Sequence, residues 1–243
     1  MPPVVRDIDI ASDVEGHSAG LRGLLGVPDG VGPWPGIVVL HEAFGIDDEM
    51  RKQVANLAGL GYLALMPDLF SEGGFRRCIS ATMRAMASGR GRAYADIEAA
   101  RRAVLANPDC TGKVGVLGFC MGGGFALMTL DGDFNAAAVN YGILPKDLDA
   151  AVENACPVVS SYGAQDATLR GASGRLDAAL TRAGITHDSK EYAGTGHSFL
   201  NERMSGPLVM RPLVRVLGMG PRPEAAADAW RRIDEFFEEH LSH

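Results

Sequence analysis

The chain reads as one α/β domain on a mostly parallel central sheet with helices on both faces. Two patterns predict this. Short continuous apolar runs, Gly36 to His41, Tyr62 to Met66 and Val114 to Leu117, suit strands buried on both sides. Between and after them come stretches of helical period; the last, about 224–241, sets Ala227, Trp230, Ile233, Phe237 and Leu241 three or four residues apart. At 243 residues the chain is long enough for one well-buried core, and it shows no internal repeat, low-complexity tract or interdomain linker. Residues 1–243 are therefore expected to form a single domain.

Residues 4–10 and 19–26 are expected as two N-terminal strands, a hairpin by their proximity, with Pro28-Asp29-Gly30 and Pro33 to Pro35 as breakers. The strand 36–41 follows. Asp47 is placed to cap a helix from about 48 to 60, and Pro67-Asp68 stops the next strand. The stretch 71–92 starts as a loop, gives a short helix over 78–87, and carries Arg76, Arg77, Arg84, Arg90 and Arg92. Then come a helix over 92–105, the strand at Val114, a helix over 121–130 and strands over 136–141 and 157–162. A helix over 172–183 and a strand over 187–192 precede the final helix. The segment 203–222 is either a mobile flap near a site or a short surface helix.

Composition excludes several classes. Hydrophobic content of 47% with 22% charged residues is that of a soluble globular chain, and no apolar run approaches the roughly 18 residues of a membrane span. A net charge of −7 disfavours nonspecific nucleic-acid binding. The start, Met1 to Asp9, carries acids where a signal peptide has a basic then apolar stretch. The four cysteines, Cys78, Cys110, Cys120 and Cys156, form no C-x-x-C pair. A cytoplasmic protein with free thiols, a monomer or homodimer, is the expectation.

The chemistry centres on Gly118-Phe-Cys120-Met-Gly122, between a buried strand and an apolar helix. This is the pattern of a nucleophile elbow with cysteine in place of serine; the flanking glycines leave room for a sharp strained turn. Two rivals use the same letters: a glycine-rich dinucleotide loop, Gly118-x-x-x-Gly122-x-Gly124, and a tight turn around an inert thiol. A thiol nucleophile needs an activating base. Of six histidines, His17, His240 and His243 lie near the termini, His187 opens a strand and His41 ends one. His197, in Gly194-Thr-Gly-His197-Ser-Phe, sits in a glycine-rich loop after the last strand, at the sheet edge where Cys120 emerges. Asp166 follows the preceding strand at that same edge. The order Cys120, Asp166, His197 is the nucleophile, acid, base order of α/β-hydrolases. The dinucleotide rival loses weight, because its loop follows about the fifth strand and no Tyr-x-x-x-Lys is present. His41-Glu42 does not extend to H-E-x-x-H, so no metal is expected.

With these residues in place, the sequence resembles the dienelactone hydrolase (carboxymethylenebutenolidase-like) family of α/β-hydrolases. The resemblance runs from about residue 19 to 200. It rests on Leu40-His-Glu42-Ala-Phe-Gly45, Gly61-Tyr62 through Met66-Pro-Asp-Leu69, Gly118-Phe-Cys120-Met-Gly-Gly123, Gly163-Ala-Gln-Asp166 and Gly196-His-Ser-Phe199. It implies an α/β-hydrolase fold, a Cys120–Asp166–His197 triad, and Glu42 as a carboxylate that contacts the resting thiol and helps activate it. The oxyanion hole would use the backbone N–H groups of Met121 and Ala43. Ser198 and Phe199 are implied near the substrate. Asn201 stands about where family members that cleave dienelactone carry an arginine for the substrate carboxylate, and Arg203 is displaced by two. Arg76, Arg77 and Arg84 are the candidate replacements from another loop.

The resulting expectation is a cofactor-free hydrolase of a small ester or lactone, working through a thioester on Cys120. A thioesterase or general carboxylesterase is the near alternative. A redox-reactive thiol is the distant one, and requires Cys78, Cys110 or Cys156 close to Cys120.

Overall fold

The computed structural model describes residues 3–203 and 220–242. An eight-stranded sheet runs in the order β1-β2-β4-β3-β5-β6-β7-β8. Its strands are β1 (Val4–Asp9), β2 (Arg22–Val27), β3 (Trp34–Leu40), β4 (Leu63–Pro67), β5 (Cys110–Phe119), β6 (Ala136–Asn140), β7 (Val158–Gly163) and β8 (His187–Tyr192). The first two strands pair antiparallel, and β2 joins β4 antiparallel. Every pairing from β4 to β8 is parallel. Among the described residues the helices are α1 (Asp48–Gly59), α2 (Phe75–Ser88), α3 (Arg92–Leu105), α4 (Met121–Leu127), α5 (Leu148–Val152), α6 (Ala172–Ala183) and α7 (Pro223–Leu241).

Register decides which helix covers which face, because alternate residues of a strand point to opposite sides. Gly26, Ala64, Ile37 and Gly115 are partners across β2, β4, β3 and β5, so they share a face. A Cβ on Gly26 would meet Val54 of α1, and one on Gly115 would meet Leu241 of α7. Helices α1 and α7 therefore lie together. Gly36 pairs with Val114 on the other face, where α3 packs through Val104. There α4 follows β5, and α6 reaches β8 through the hydrogen bond of His187 with Asp177.

The central strands are almost wholly apolar and buried because they have a helix layer on each side. The buried polar residues Ser160 and Ser161 of β7 are met from α7. Arg232, 7% exposed, donates to Asp188, to the Ser160 carbonyl, to Ser161 Oγ and to Tyr192 Oη, tying the last helix to β7 and β8.

Several boundaries differ from the sequence reading for local reasons. The second strand starts at Arg22, since the Ser18 amide and hydroxyl are held by the Asp96 carboxylate and the Arg22 amide by Ser71. Helix α2 begins at Phe75, whose ring packs on Phe70 and Phe44. Helix α4 ends at Leu127, earlier than 130. The short α5, capped by Asp147, has too little apolar period to be read from sequence. His240 packs on Phe236. Of the segment 203–222, residues 204–219 lie outside the described residues. No described helix is long and apolar enough to cross a membrane.

Candidate active site

All parallel strands point their C-terminal ends to one edge, and four loops there bring the candidate residues together. The first is the β5–α4 turn. Cys120 has φ 53° and ψ −112°, a left-handed conformation that costs a non-glycine residue energy. The turn is tight enough that a Cβ on Gly118 would run into the Gly122 carbonyl, and one on Gly122 into the Leu40 carbonyl. Glycine at 118 and 122 is thus required for α4 to start against β3 and lift Cys120 into the open. The Cys120 amide is fixed by the Asn140 carbonyl at 3.1 Å.

Two further loops supply Asp166 and His197, the candidate acid and base. After β7 and β8 the backbones run in contact: Gln165 N–H donates to the Thr195 carbonyl at 2.8 Å, and a Cβ on Gly163 would collide with the carbonyls of Thr195 and Gly196. This brings Asp166, 2% exposed, to His197, 8% exposed. His197 Nδ1–H donates to Asp166 Oδ2 at 2.5 Å, which leaves Nε2 for the cysteine side. Asp166 Oδ1 accepts from the Thr168 amide at 2.9 Å and its hydroxyl at 2.6 Å, so both carboxylate oxygens are held. Burial works against the imidazolium, but the Asp166 carboxylate and the Cys120 side chain outweigh it and raise His197 to about 10. Burial likewise works against the Asp166 carboxylate; hydrogen bonds from His197 and Thr168 prevail and hold it below its ordinary value.

The fourth loop follows β3. Glu42, 3% exposed, accepts from Ser198 Oγ at 2.9 Å and from Asn201 Nδ2 at 3.2 Å to each oxygen. Asn201 is aimed by α1, where Gln53 Nε2 donates to the Leu200 carbonyl at 3.2 Å and to Asn201 Oδ1 at 3.4 Å. His41 takes a positioning place. It accepts the Leu69 amide on Nε2 and so donates from Nδ1 to the Glu42 carbonyl at 2.7 Å; burial keeps the ring below its ordinary pKa. The Met121 and Ala43 amides donate no hydrogen bond among the described residues. Both belong to loops at this edge, one directly after Cys120.

A fully buried tyrosine completes the constellation. Tyr141, just past β6 with φ 40°, places its ring 5.0 Å from that of His197. Its buried hydroxyl lies beside the Glu42 carboxylate; burial, above all, and the nearby charges of Glu42 and Cys120 hold its pKa well above the ordinary value. Cys120, Tyr141 and Ser198 are the three non-glycine residues with positive φ among the described ones, and all three meet at this edge. Such clustering of backbone strain is characteristic of functional sites.

The sequence profile of the dienelactone hydrolase family matches residues 21–241. The chain belongs to that family. The family fold is the α/β-hydrolase fold, and its members are hydrolases of ester and lactone bonds. Among the relatives, the carboxymethylenebutenolidase of Rhodococcus opacus is 31% identical over 85% of this chain and 81% of its own length. That of Pseudomonas putida is 32% identical over 79% of this chain and 85% of its own. A dienelactone hydrolase-like promiscuous phosphotriesterase, P91 from metagenomic libraries, superposes with a TM-score of 0.79 at 22% identity. That match spans 99% of this chain and 100% of P91, and shows the common fold.

Within this dienelactone hydrolase family member, Cys120, Asp166, His197, Glu42, Ser198 and Asn201 come together, with the Met121 and Ala43 amides beside them. Phe199 is fully buried and packs on Tyr141 and Tyr192, supporting the His197 loop. Arg76 and Arg77 are exposed on the first turn of α2, and Arg84 lines a cavity between α2 and α3. Sequence reasoning missed Gln53, Thr168 and Tyr141. Thr168 had a readable signal, since Asp-x-Thr forms a side-chain turn; Tyr141 had only its place at the end of a buried strand. Cys110 opens β5, roughly 30 Å along the strand from Cys120, and Cys156 precedes β7 at the same far edge. That leaves neither positioned as a resolving thiol.

Proposed function

We propose that the protein cleaves a small ester or lactone through Cys120 as nucleophile and a thioester acyl-enzyme. The observation that carries the reading is the His197–Asp166 pair, bonded at 2.5 Å and facing a strained elbow cysteine beside two unused amide donors. His197, raised to about 10, holds a proton at neutral pH, which favours a thiolate next to it. The thiolate attacks the carbonyl carbon, and the carbonyl electrons move to an oxygen held by the Met121 and Ala43 N–H groups. As that carbonyl reforms, the C–O bond to the alcohol breaks and the alkoxide takes the His197 proton. Neutral His197 then removes a proton from water, which attacks the thioester and returns Cys120 as thiolate. Asp166 keeps the imidazole in one tautomer and stabilises its charged form.

Glu42 is a second ionisable partner of Cys120, the acceptor of the thiol proton in any molecule in which His197 does not already hold it. Ser198 and Asn201 hold it in place for that. Phe44, next to Ala43, packs against the half-exposed Phe75, an apolar wall beside the amide. The wall suits a compact apolar substituent on the ester.

A panel of aryl esters, lactones and thioesters, each with and without a carboxylate, tests the reading. The expected result is a stoichiometric burst of alcohol from the preferred esters, followed by slower turnover. Turnover without a burst on every member, together with full activity after Cys120 alkylation, would contradict it.

A further inference from the structure

A cavity of about 430 Å³ lies between α2 and α3. Arg84, Arg90 and Arg92 line it, together with Thr82, Leu69 and the backbone at Gly91. None of Cys120, Asp166, His197 or Glu42 does, and no acidic residue does. The three arginines make no ion pair among the described residues, nor do Arg76 and Arg77 on α2. Arg92 does contact Cys78, from Nη2 to Sγ at 3.9 Å. Elsewhere Arg101, Arg102, Arg182, Arg231 and Arg232 meet carboxylates, while Arg6, Arg170 and Arg175 make no ion pair among the described residues. In a protein of net charge −7, five unpaired arginines within residues 76–92 are a local concentration of positive charge.

Two more donors face the same space. Helix α3, 14 residues long, starts there from Gly91, which offers no side-chain cap, so the Arg92 and Ala93 amides carry the positive end of its dipole to the cavity wall. Thr82 is only 4% exposed, lines the cavity, and its hydroxyl has no hydrogen-bond partner among the described residues. That oxygen is not sealed from solvent, so it is free to donate to a group bound in the cavity.

We propose that this cavity binds the phosphate group of a small phosphorylated ligand, at a site separate from Cys120. Guanidinium forks from three positions, helix N-terminal amides and one hydroxyl suit an anion with three or more oxygens and two charges. A carboxylate, with one charge and two oxygens in a plane, fills one fork and leaves the rest unused.

The test is calorimetric titration with inorganic phosphate and with pyrophosphate at fixed ionic strength, on protein whose Cys120 is alkylated so that its active site is blocked. Saturable one-to-one binding is expected, weakened about 10-fold or more by Arg84→Gln and again by Arg90→Gln. Thr82→Val should weaken it several-fold with the melting curve retained. Benzoate should neither bind comparably nor displace phosphate. Absence of saturable binding, unchanged affinity in the Arg84→Gln/Arg90→Gln protein, loss of binding on Cys120 alkylation, or equal binding of benzoate would each overturn the proposal.

Discussion

At the residue scale, the charge on His197 is set by a contest between burial and Asp166. The ring is 8% exposed, which alone would lower its pKa; the 2.5 Å bond to Asp166 reverses that. Asp166→Asn should therefore move the His197 titration downward, because burial then acts without the main opposing carboxylate. Turnover should fall by about 10⁴-fold, since the amide also permits the wrong tautomer. The pH profile of Cys120 alkylation, followed on the Cys120 peptide, reads the first effect, and steady-state kinetics the second. Glu42 poses a different problem: a carboxylate 3% exposed needs donors, and Ser198 and Asn201 are two of them. Asn201→Leu should cost about 1–3 kcal/mol in unfolding free energy, by withdrawing bonds from a buried charge, and lower the rate with it. Gln53→Leu should shift both in the same direction by less, as it only aims Asn201. Equal rates in all three proteins would remove Glu42 from the mechanism.

At the element scale, the elbow depends on how closely α4 approaches β3. A Cβ at position 122 would fall on the Leu40 carbonyl, which no side-chain rotation relieves. Gly122→Ala is predicted to cost about 3 kcal/mol by overpacking. It should also cost on the order of 10²–10³ in rate as the Met121 amide leaves its place; thermal melts and kinetics check the two. This element was legible in the sequence because its constraint is local: Gly-x-Cys-x-Gly between strand and helix carries the whole geometry in five residues. Asp166 and His197 were legible for a related reason, each following a strand whose end lies at the same edge. Tyr141, Gln53 and Thr168 were not singled out. What brings Gln53 to Asn201 is the packing of α1 against a loop 148 residues later, and no local period encodes it. The start of β2 slipped for the same kind of reason, through Ser18 and Asp96, 78 residues apart.

At the scale of the whole molecule, the sheet works as a frame that delivers four loops to one edge, and α7 braces the half that carries acid and base. Arg232 is the brace. Arg232→Met should lose about 3 kcal/mol, since Asp188, Ser160, Ser161 and Tyr192 would lose their shared donor, with a lower midpoint in urea as the readout. The His197–Asp166 pair also gives the fold a pH signature. His197 lies above its ordinary 6.5, so its contribution is complete below about 6.5 and is lost as pH rises toward about 10. Asp166 lies below its ordinary 3.8, so its contribution is complete above about 4 and is lost as pH falls further. Unfolding free energy measured across pH should accordingly decline from 6.5 toward 10, and decline less in Asp166→Asn. The proposed nucleophile at that edge is the Cys120 sulfur. Intact-protein mass spectrometry during turnover of a preferred aryl ester, in the wild type and in Cys120→Ala, addresses that most directly. One acyl group is expected on the wild-type protein, mapped to the Cys120 peptide, with no adduct and no turnover in Cys120→Ala. Undiminished turnover in Cys120→Ala, or an acyl group on another residue, would contradict it.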